Sequence, residues 1–136
     1  MTIQEKCQAV RTAMNALSAL IDAETSALRK GHLKQAIQGH AAKMGAAVTL
    51  QDALSGLRGD LKSATALPEA AKRDIRLRQQ ALSASMENNM RALRDVQTAS
   101  DRLSRLIVTT MRQAALEKSL LPARNKPLSI RCNQTV

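Results

Sequence analysis

The sequence contains no Phe, Tyr or Trp among its 136 residues. Compact domains usually need aromatic side chains to fill a wide interior, whereas helices packed side by side close a narrow core with Leu, Ile, Met and Ala. The chain has the length of one domain, and its hydrophobic content of 44% is enough for a folded core. The absence of aromatic residues therefore favours an all-α fold built from long helices.

Cysteine and long apolar runs are also scarce. Cys7 and Cys132 lie near opposite ends of the chain and form neither a CxxC pair nor a His-containing ligand set, so we interpret both as reduced thiols. No apolar run approaches the roughly 20 residues of a membrane-spanning helix. The opening segment MTIQEKCQAV lacks the basic and apolar regions of a secretory leader. We therefore expect a cytoplasmic protein with no membrane insertion.

Glycine and proline are unevenly distributed, and they divide the sequence into segments. All five glycines lie between positions 31 and 59, and the three prolines lie outside that interval. The helices are predicted over about 2–30, 33–63 and 68–119, followed by an extended or disordered tail over 122–136. Two arms of similar length joined by a short turn predict an elongated antiparallel helical hairpin, or coiled-coil bundle, over 1–121. Its first arm is expected to kink near Gly31.

In both arms, apolar residues recur at alternating steps of three and four, which is the pattern of a helix with one apolar face. Two polar residues interrupt these stripes, Glu24 in the first arm and Asn89 in the second. Reflection about a turn near residue 65 places position 24 opposite about 106, and 89 opposite about 42. We expect Glu24 to be partly buried and paired with Arg102 or Arg105, which would fix the register of the hairpin. Asn89 is either buried across the hairpin or faces water.

The sequence offers no arrangement of residues that predicts catalysis. His32 and His40 are separated by eight residues with no acidic neighbour, and Asp22 and Glu24 point to different sides of a helix. No Gly-rich phosphate loop is present. We expect no enzyme activity, no metal and no cofactor.

The net charge of +10 raises the alternative of a basic nucleic-acid-binding helical protein. Its phosphate contacts would come from Arg73, Arg76, Arg78, Arg91 and Arg94. The basic residues are interleaved with acids, however, and no aromatic side chain is available to stack on bases. We therefore expect no nucleic-acid partner and interpret these residues as a solvated helix face.

The stretch LSALIDAETSALRKGHL, with Glu24 between Ile21 and Leu28, resembles the L..LL..E...L..GDL signature of FlgN-type flagellar export chaperones. Lys43 is similar to a lysine in the second helical stretch of that family, and MENNMRALRDV to its Asn-containing third helix. The tail NKPLSIRCNQTV resembles the ends of short alphaproteobacterial members. The resemblance implies a cytosolic chaperone that keeps hook-filament junction proteins unpolymerised and competent for type III export.

The same resemblance implies a binding mechanism with no active site, in which a C-terminal amphipathic helix covers a helical segment of the client. Hook-associated proteins and the export apparatus would be the partners. Beyond Ile107 the sequence still carries residues that the hairpin does not need. We expect the client-binding residues to be Val108, Met111, Arg112, Ala115, Leu116 and Leu120.

Two alternatives remain open for this segment and for the whole chain. The apolar residues beyond Ile107 would close the core or form a homodimer if they were not a client surface. The whole chain would be a structural or adaptor coiled-coil protein of the export apparatus if it had no client-binding surface.

Overall fold

The computed structural model describes residues 1–61 and 67–120, and all the regular secondary structure in those ranges is helical. The helices are α1 (Ile3–Arg29), α2 (Leu33–Gln38), α3 (His40–Leu61) and α4 (Glu69–Leu120). The prediction of an all-α fold is confirmed. The chain forms two compact units, Met1–Val96 and Gln97–Val136. The predicted tail over 122–136 lies outside the described residues.

Helix α1 begins at a capping box. The backbone N–H of Glu5 donates to Thr2 Oγ1 at 3.2 Å, and the N–H of Thr2 donates to Glu5 Oε2 at 2.7 Å. These two bonds satisfy backbone donors that a helix start otherwise leaves free. The helix then buries one face, as its apolar stripe predicts, through Cys7, Val10, Met14, Leu17, Ile21 and Leu28.

Gly31 ends α1 and bends the first arm, as predicted. Its φ of 77° lies in the left-handed region that a residue with a Cβ rarely adopts. The N–H of His32 donates to the carbonyl of Ala27 at 2.8 Å, and the N–H of Gly31 donates to that of Leu28 at 3.2 Å. This is the Schellman arrangement, which satisfies the last carbonyls of a helix and turns the chain away from its axis.

The bend at Gly31 reverses the chain within the first unit, so that α3 runs antiparallel to α1. Lys6 pairs with Asp60 at 2.8 Å near one end of the two helices, and Lys43 pairs with Glu24 at 2.8 Å near the other. The segment predicted as a single helix over 33–63 is divided at Gly39, which separates α2 from α3.

The first half of α4 runs parallel to α1. Arg78 Nη1 donates to Asn15 Oδ1 at 2.7 Å, across 63 positions of sequence. Asn89 Nδ2 donates to Glu24 Oε1 at 3.0 Å, across 65 positions. Because the residues of the two pairs are separated by nearly the same number of positions, α1 and the first half of α4 run in the same direction. The first unit is therefore an up-down-up arrangement of α1, α3 and the start of α4.

This arrangement corrects the predicted register of α1. Position 24 was expected opposite about 106, but it lies beside Asn89 because the chain reverses at Gly31. The predicted placement of α3 opposite α4, about a turn near residue 65, is present. Lys43 of α3 and Asn89 of α4 both donate to Glu24 Oε1.

The core of the first unit is narrow and contains no aromatic residue, as the composition requires. Val10 is fully buried and belongs to one apolar cluster with Cys7, Met14, Leu17, Ile21, Leu50, Leu57, Leu67 and Leu82. Ala46, Ala47 and Ala53 of α3 pack against this cluster, and such small side chains let helix axes approach closely. A second cluster near the bend contains Ala27, Leu28, Ala36 and Ala92, with Val96 packed against it.

The described part of the second unit is the stretch of α4 from Gln97 to Leu120. Every residue from position 97 to 120 is exposed. Among the helices that the structure describes, none has the length and apolar content needed to cross a membrane.

Candidate functional site

A nearly buried carboxylate lies where α1, α3 and α4 meet. The Glu24 side chain is 9% exposed, and its Oε2 is 2.8 Å from Lys43 Nζ. Its Oε1 accepts from Lys43 Nζ at 3.1 Å and from Asn89 Nδ2 at 3.0 Å. The carboxylate thus receives hydrogen bonds from two different helices, which is how a buried charge becomes tolerable.

Thr25 joins the same cluster from the neighbouring position. Its hydroxyl donates to the carbonyl of Ile21 at 3.0 Å and accepts from Asn89 Nδ2 at 3.1 Å. Asn89 is 6% exposed, which decides between the two alternatives that the sequence left open. Because both amide hydrogens of Asn89 have an acceptor, the buried polar atoms of this cluster are matched to each other.

The surroundings of Glu24 favour its ionised form. Burial alone would raise the pKa of the carboxyl group, but hydrogen bonds from Lys43 and Asn89 and the positive charges of Lys43 and His40 lower it. The balance places the pKa of Glu24 below its ordinary value. Glu24 is therefore a carboxylate at neutral pH.

The lowered pKa predicts a loss of stability in acid. A carboxyl group whose pKa is lower in the folded state stabilises the fold above its unfolded-state pKa, and this stabilisation is lost as the pH falls. For Glu24 the loss should begin near the ordinary value of 4.5 and continue below it. Urea unfolding between neutral and acidic pH measures it. The difference in the free energy of unfolding between the parent protein and the Glu24→Gln variant should become smaller as the pH falls. A difference that stays constant contradicts this prediction.

The predicted partners of Glu24 were wrong. Its carboxylate contacts Lys43 and Asn89, not Arg102 or Arg105. The two arginines belong to the second unit and are exposed there. The error follows from the reversal at Gly31. Because of it, α1 runs antiparallel to α3, whereas the predicted hairpin had the two in line. The expected partial burial of Glu24 and its contact across helices are both present.

An apolar groove adjoins this polar cluster within the first unit, and we refer to it as the bend groove. Its cavity has a volume of about 560 Å³. Its apolar lining comes from Leu28, Leu33, Ala36, Ile37, Leu93 and Val96, and its polar end from Glu24, His40 and Lys43. Leu33 is 47% exposed and Ile37 is 74% exposed, so the groove is open to solvent.

A second apolar surface lies on the part of α4 that belongs to the second unit. We refer to it as the α4 surface, and its large side chains are Leu103, Leu106, Ile107, Val108, Met111, Leu116 and Leu120. Each of them is at least 45% exposed. Leu103, Ile107 and Met111 follow each other at steps of four, so they lie along one side of the helix.

The predicted client-binding residues all lie on this exposed stretch. Val108, Met111, Leu116 and Leu120 belong to the α4 surface, and Arg112 and Ala115 are exposed between them. The stripe up to Ile107 was expected to be covered by the hairpin, and that was wrong. Leu103 is 58% exposed and Ile107 is 50% exposed, so the exposed apolar surface begins earlier than predicted.

The described residues contain no group of three His, Cys, Asp or Glu side chains placed to hold a metal ion. His40 lies at the polar end of the bend groove, and His32 is the exposed residue just after Gly31. Cys7 is a free, buried thiol in the core, and burial raises its pKa above the ordinary value.

The chain matches no protein-family model, no curated protein and no solved structure. The side chains left uncovered in the bend groove and on the α4 surface are mainly apolar. The charged residues nearest to them form ion pairs or face solvent. Such surfaces are typical of binding to another protein.

Three features of this site were not predicted from the sequence. Lys43 was noted for its resemblance to a family lysine, but its pairing with Glu24 was not predicted, and Thr25 was overlooked. The bend groove was also missed. Its residues Leu33 and Ile37 are four positions apart and begin two residues after Gly31. An apolar pair that starts at a glycine turn was the available signal.

Proposed function

We propose that the protein is a flagellar export chaperone that binds a hook-filament junction protein and keeps it unpolymerised. The observation that supports this most is the α4 surface, where seven large apolar side chains are exposed along 18 consecutive positions, 103–120. Soluble proteins rarely leave such a stretch uncovered unless a partner binds there. The resemblance around Glu24 supports the kind of partner.

The α4 surface suits a helical client. Leu103, Ile107 and Met111 present apolar groups one helical turn apart, which is the spacing by which two helices pack side by side. Methionine adapts its shape to different partners. An aggregation-prone helix of the client would be shielded by these side chains until it is released at the export gate.

Charge favours an acidic client. Residues 108–136 carry five basic residues and one acidic residue. Of these, Arg112 and Lys118 are exposed beside the α4 surface. Such charges accelerate encounter with an acidic partner more than they increase affinity. The function is binding in the cytoplasm, with no catalytic step and no cofactor.

The test removes the apolar side chains and leaves the chain length unchanged. The combined variant Leu103→Ser, Ile107→Ser, Met111→Ser should weaken binding of a purified hook-filament junction protein by at least about tenfold, which corresponds to about 1.4 kcal/mol. Isothermal titration calorimetry measures the affinity. The melting temperature should change little, because all three residues are exposed.

The matched control replaces three exposed apolar residues of α4 in the first unit, with the changes Leu77→Ser, Met86→Ser, Met90→Ser. Its affinity for the client should equal that of the parent protein. A first variant that binds normally excludes the α4 surface as the client site. A parent protein that binds no hook-filament junction protein leaves the adaptor coiled coil as the better account.

A further inference from the structure

The bend groove is a second apolar surface that the proposed function does not use. Two of its helices each contribute an apolar pair one turn apart, Leu33 with Ile37 on α2 and Leu93 with Val96 on α4. Two apolar rows on opposite sides of one groove can accept the ridge of a third helix. The shape of the groove therefore favours a helical occupant.

The polar end of the groove is already satisfied. Glu24 Oε1 and Oε2 both contact Lys43 Nζ, and Asn89 donates a further hydrogen bond to Oε1. A ligand that offered a charged or hydrogen-bonding group there would have to displace bonds that exist already. The gain on binding must come from covering apolar side chains such as Ile37, which is 74% exposed.

The segment that follows Glu24 and forms most of one side of the groove contains no acidic residue. Positions 25–51 contain four basic residues, Arg29, Lys30, Lys34 and Lys43, two histidines and no Asp or Glu. Of the four, only Lys43 has an ion-pair partner among the residues that the structure describes. On the α4 side the charges balance, since Arg94 and Asp95 are adjacent in sequence. The local field is thus positive and attracts an anionic partner.

We propose that the bend groove binds an acidic amphipathic helix of another protein. The partner would place its apolar edge between Leu33 and Ile37 on one side and Leu93 on the other. Its carboxylates would face Arg29, Lys30 and Lys34, since Lys43 is already paired with Glu24. This inference is independent of the client site on α4. A second copy of the chain fits poorly, because its net charge of +10 would meet a positive groove.

The probe for this proposal is a synthetic amphipathic peptide of about four helical turns. Its leucines follow helical spacing on one face, and glutamates flank them. A matched peptide carries lysine in place of every glutamate. Binding is measured by fluorescence anisotropy to the full-length protein that carries Leu103→Ser, Ile107→Ser and Met111→Ser, so that the α4 surface does not contribute.

The glutamate peptide should bind at least about tenfold more tightly than the lysine peptide, a difference of about 1.4 kcal/mol. Ile37→Ser should remove most of that binding, whereas Leu77→Ser should leave it unchanged. Both residues are largely exposed, so circular dichroism should show the same helicity and melting temperature for the two variants.

Three results would overturn the proposal. The first is equal affinity for the two peptides, and the second is unchanged binding after Ile37→Ser. The third is a dimer in sedimentation that Ile37→Ser dissociates, because the groove would then be occupied by a second copy. None of these results depends on whether the α4 surface binds a hook-filament junction protein.

Discussion

Replacement of Glu24 by alanine is expected to lower the free energy of unfolding by about 2–4 kcal/mol. The change removes the acceptor for Lys43 Nζ and for one hydrogen of Asn89 Nδ2. Asn89 is buried, and the Lys43 side chain is only 20% exposed. Both donors would therefore remain poorly solvated in the folded state, which costs more than the loss of a surface ion pair.

Two matched variants give this prediction its controls. Glu87→Ala removes an exposed carboxylate of α4, 4.0 Å from Arg91, and should change the free energy of unfolding by about 0.5 kcal/mol or less. Glu24→Gln keeps an acceptor for Asn89 but loses the charge opposite Lys43, so its loss should be intermediate. Urea unfolding at neutral pH measures all three. Equal losses for Glu24→Ala and Glu87→Ala would show that the polar cluster does not stabilise the fold.

The second large effect is expected in the core of the first unit. Ile21 is 6% exposed and belongs to the same apolar cluster as Val10. Ile21→Ala should lower the free energy of unfolding by about 2–5 kcal/mol, because it removes buried apolar surface and leaves a cavity. Ile107→Ala, at an exposed position, should lower the free energy of unfolding by about 0.5 kcal/mol or less.

The comparison of Ile21→Ala with Ile107→Ala tests the division between a folded core and an exposed surface. The two substitutions are chemically identical and both lie in helices, so differences in helix propensity cancel. Denaturant unfolding followed by circular dichroism gives the two values. A large loss for Ile107→Ala would mean that the α4 surface is covered in solution, which favours a homodimer over a free client site.

The features predicted from sequence were those that depend on local chemistry. The helical stripes, the bend at Gly31 and the start of α4 after Pro68 follow from side-chain periodicity and from backbone preferences. Each of these needs only a few neighbouring residues. The fold class and the place of the bend could therefore be predicted from the sequence.

The partners of Glu24 and the extent of the exposed surface could not be predicted in the same way. Both depend on the angle through which the chain turns at Gly31, and a glycine permits a slight kink as readily as a reversal. A reversal exchanges Arg102 and Arg105 for Lys43 and Asn89 as neighbours of Glu24. One backbone turn thus decided which long-range contacts form.

The reversal at Gly31 also bears on how the protein folds. It places α3 against α1 after a connection over positions 30–39 that contains α2, so the two helices that pair are neighbouring long helices of the chain. Closing a short loop has a low entropy cost, and folds rich in local contacts form quickly. Residues 1–61 can therefore pair during synthesis before α4 has left the ribosome. The polar cluster at Glu24, which needs Asn89, is completed only when α4 docks.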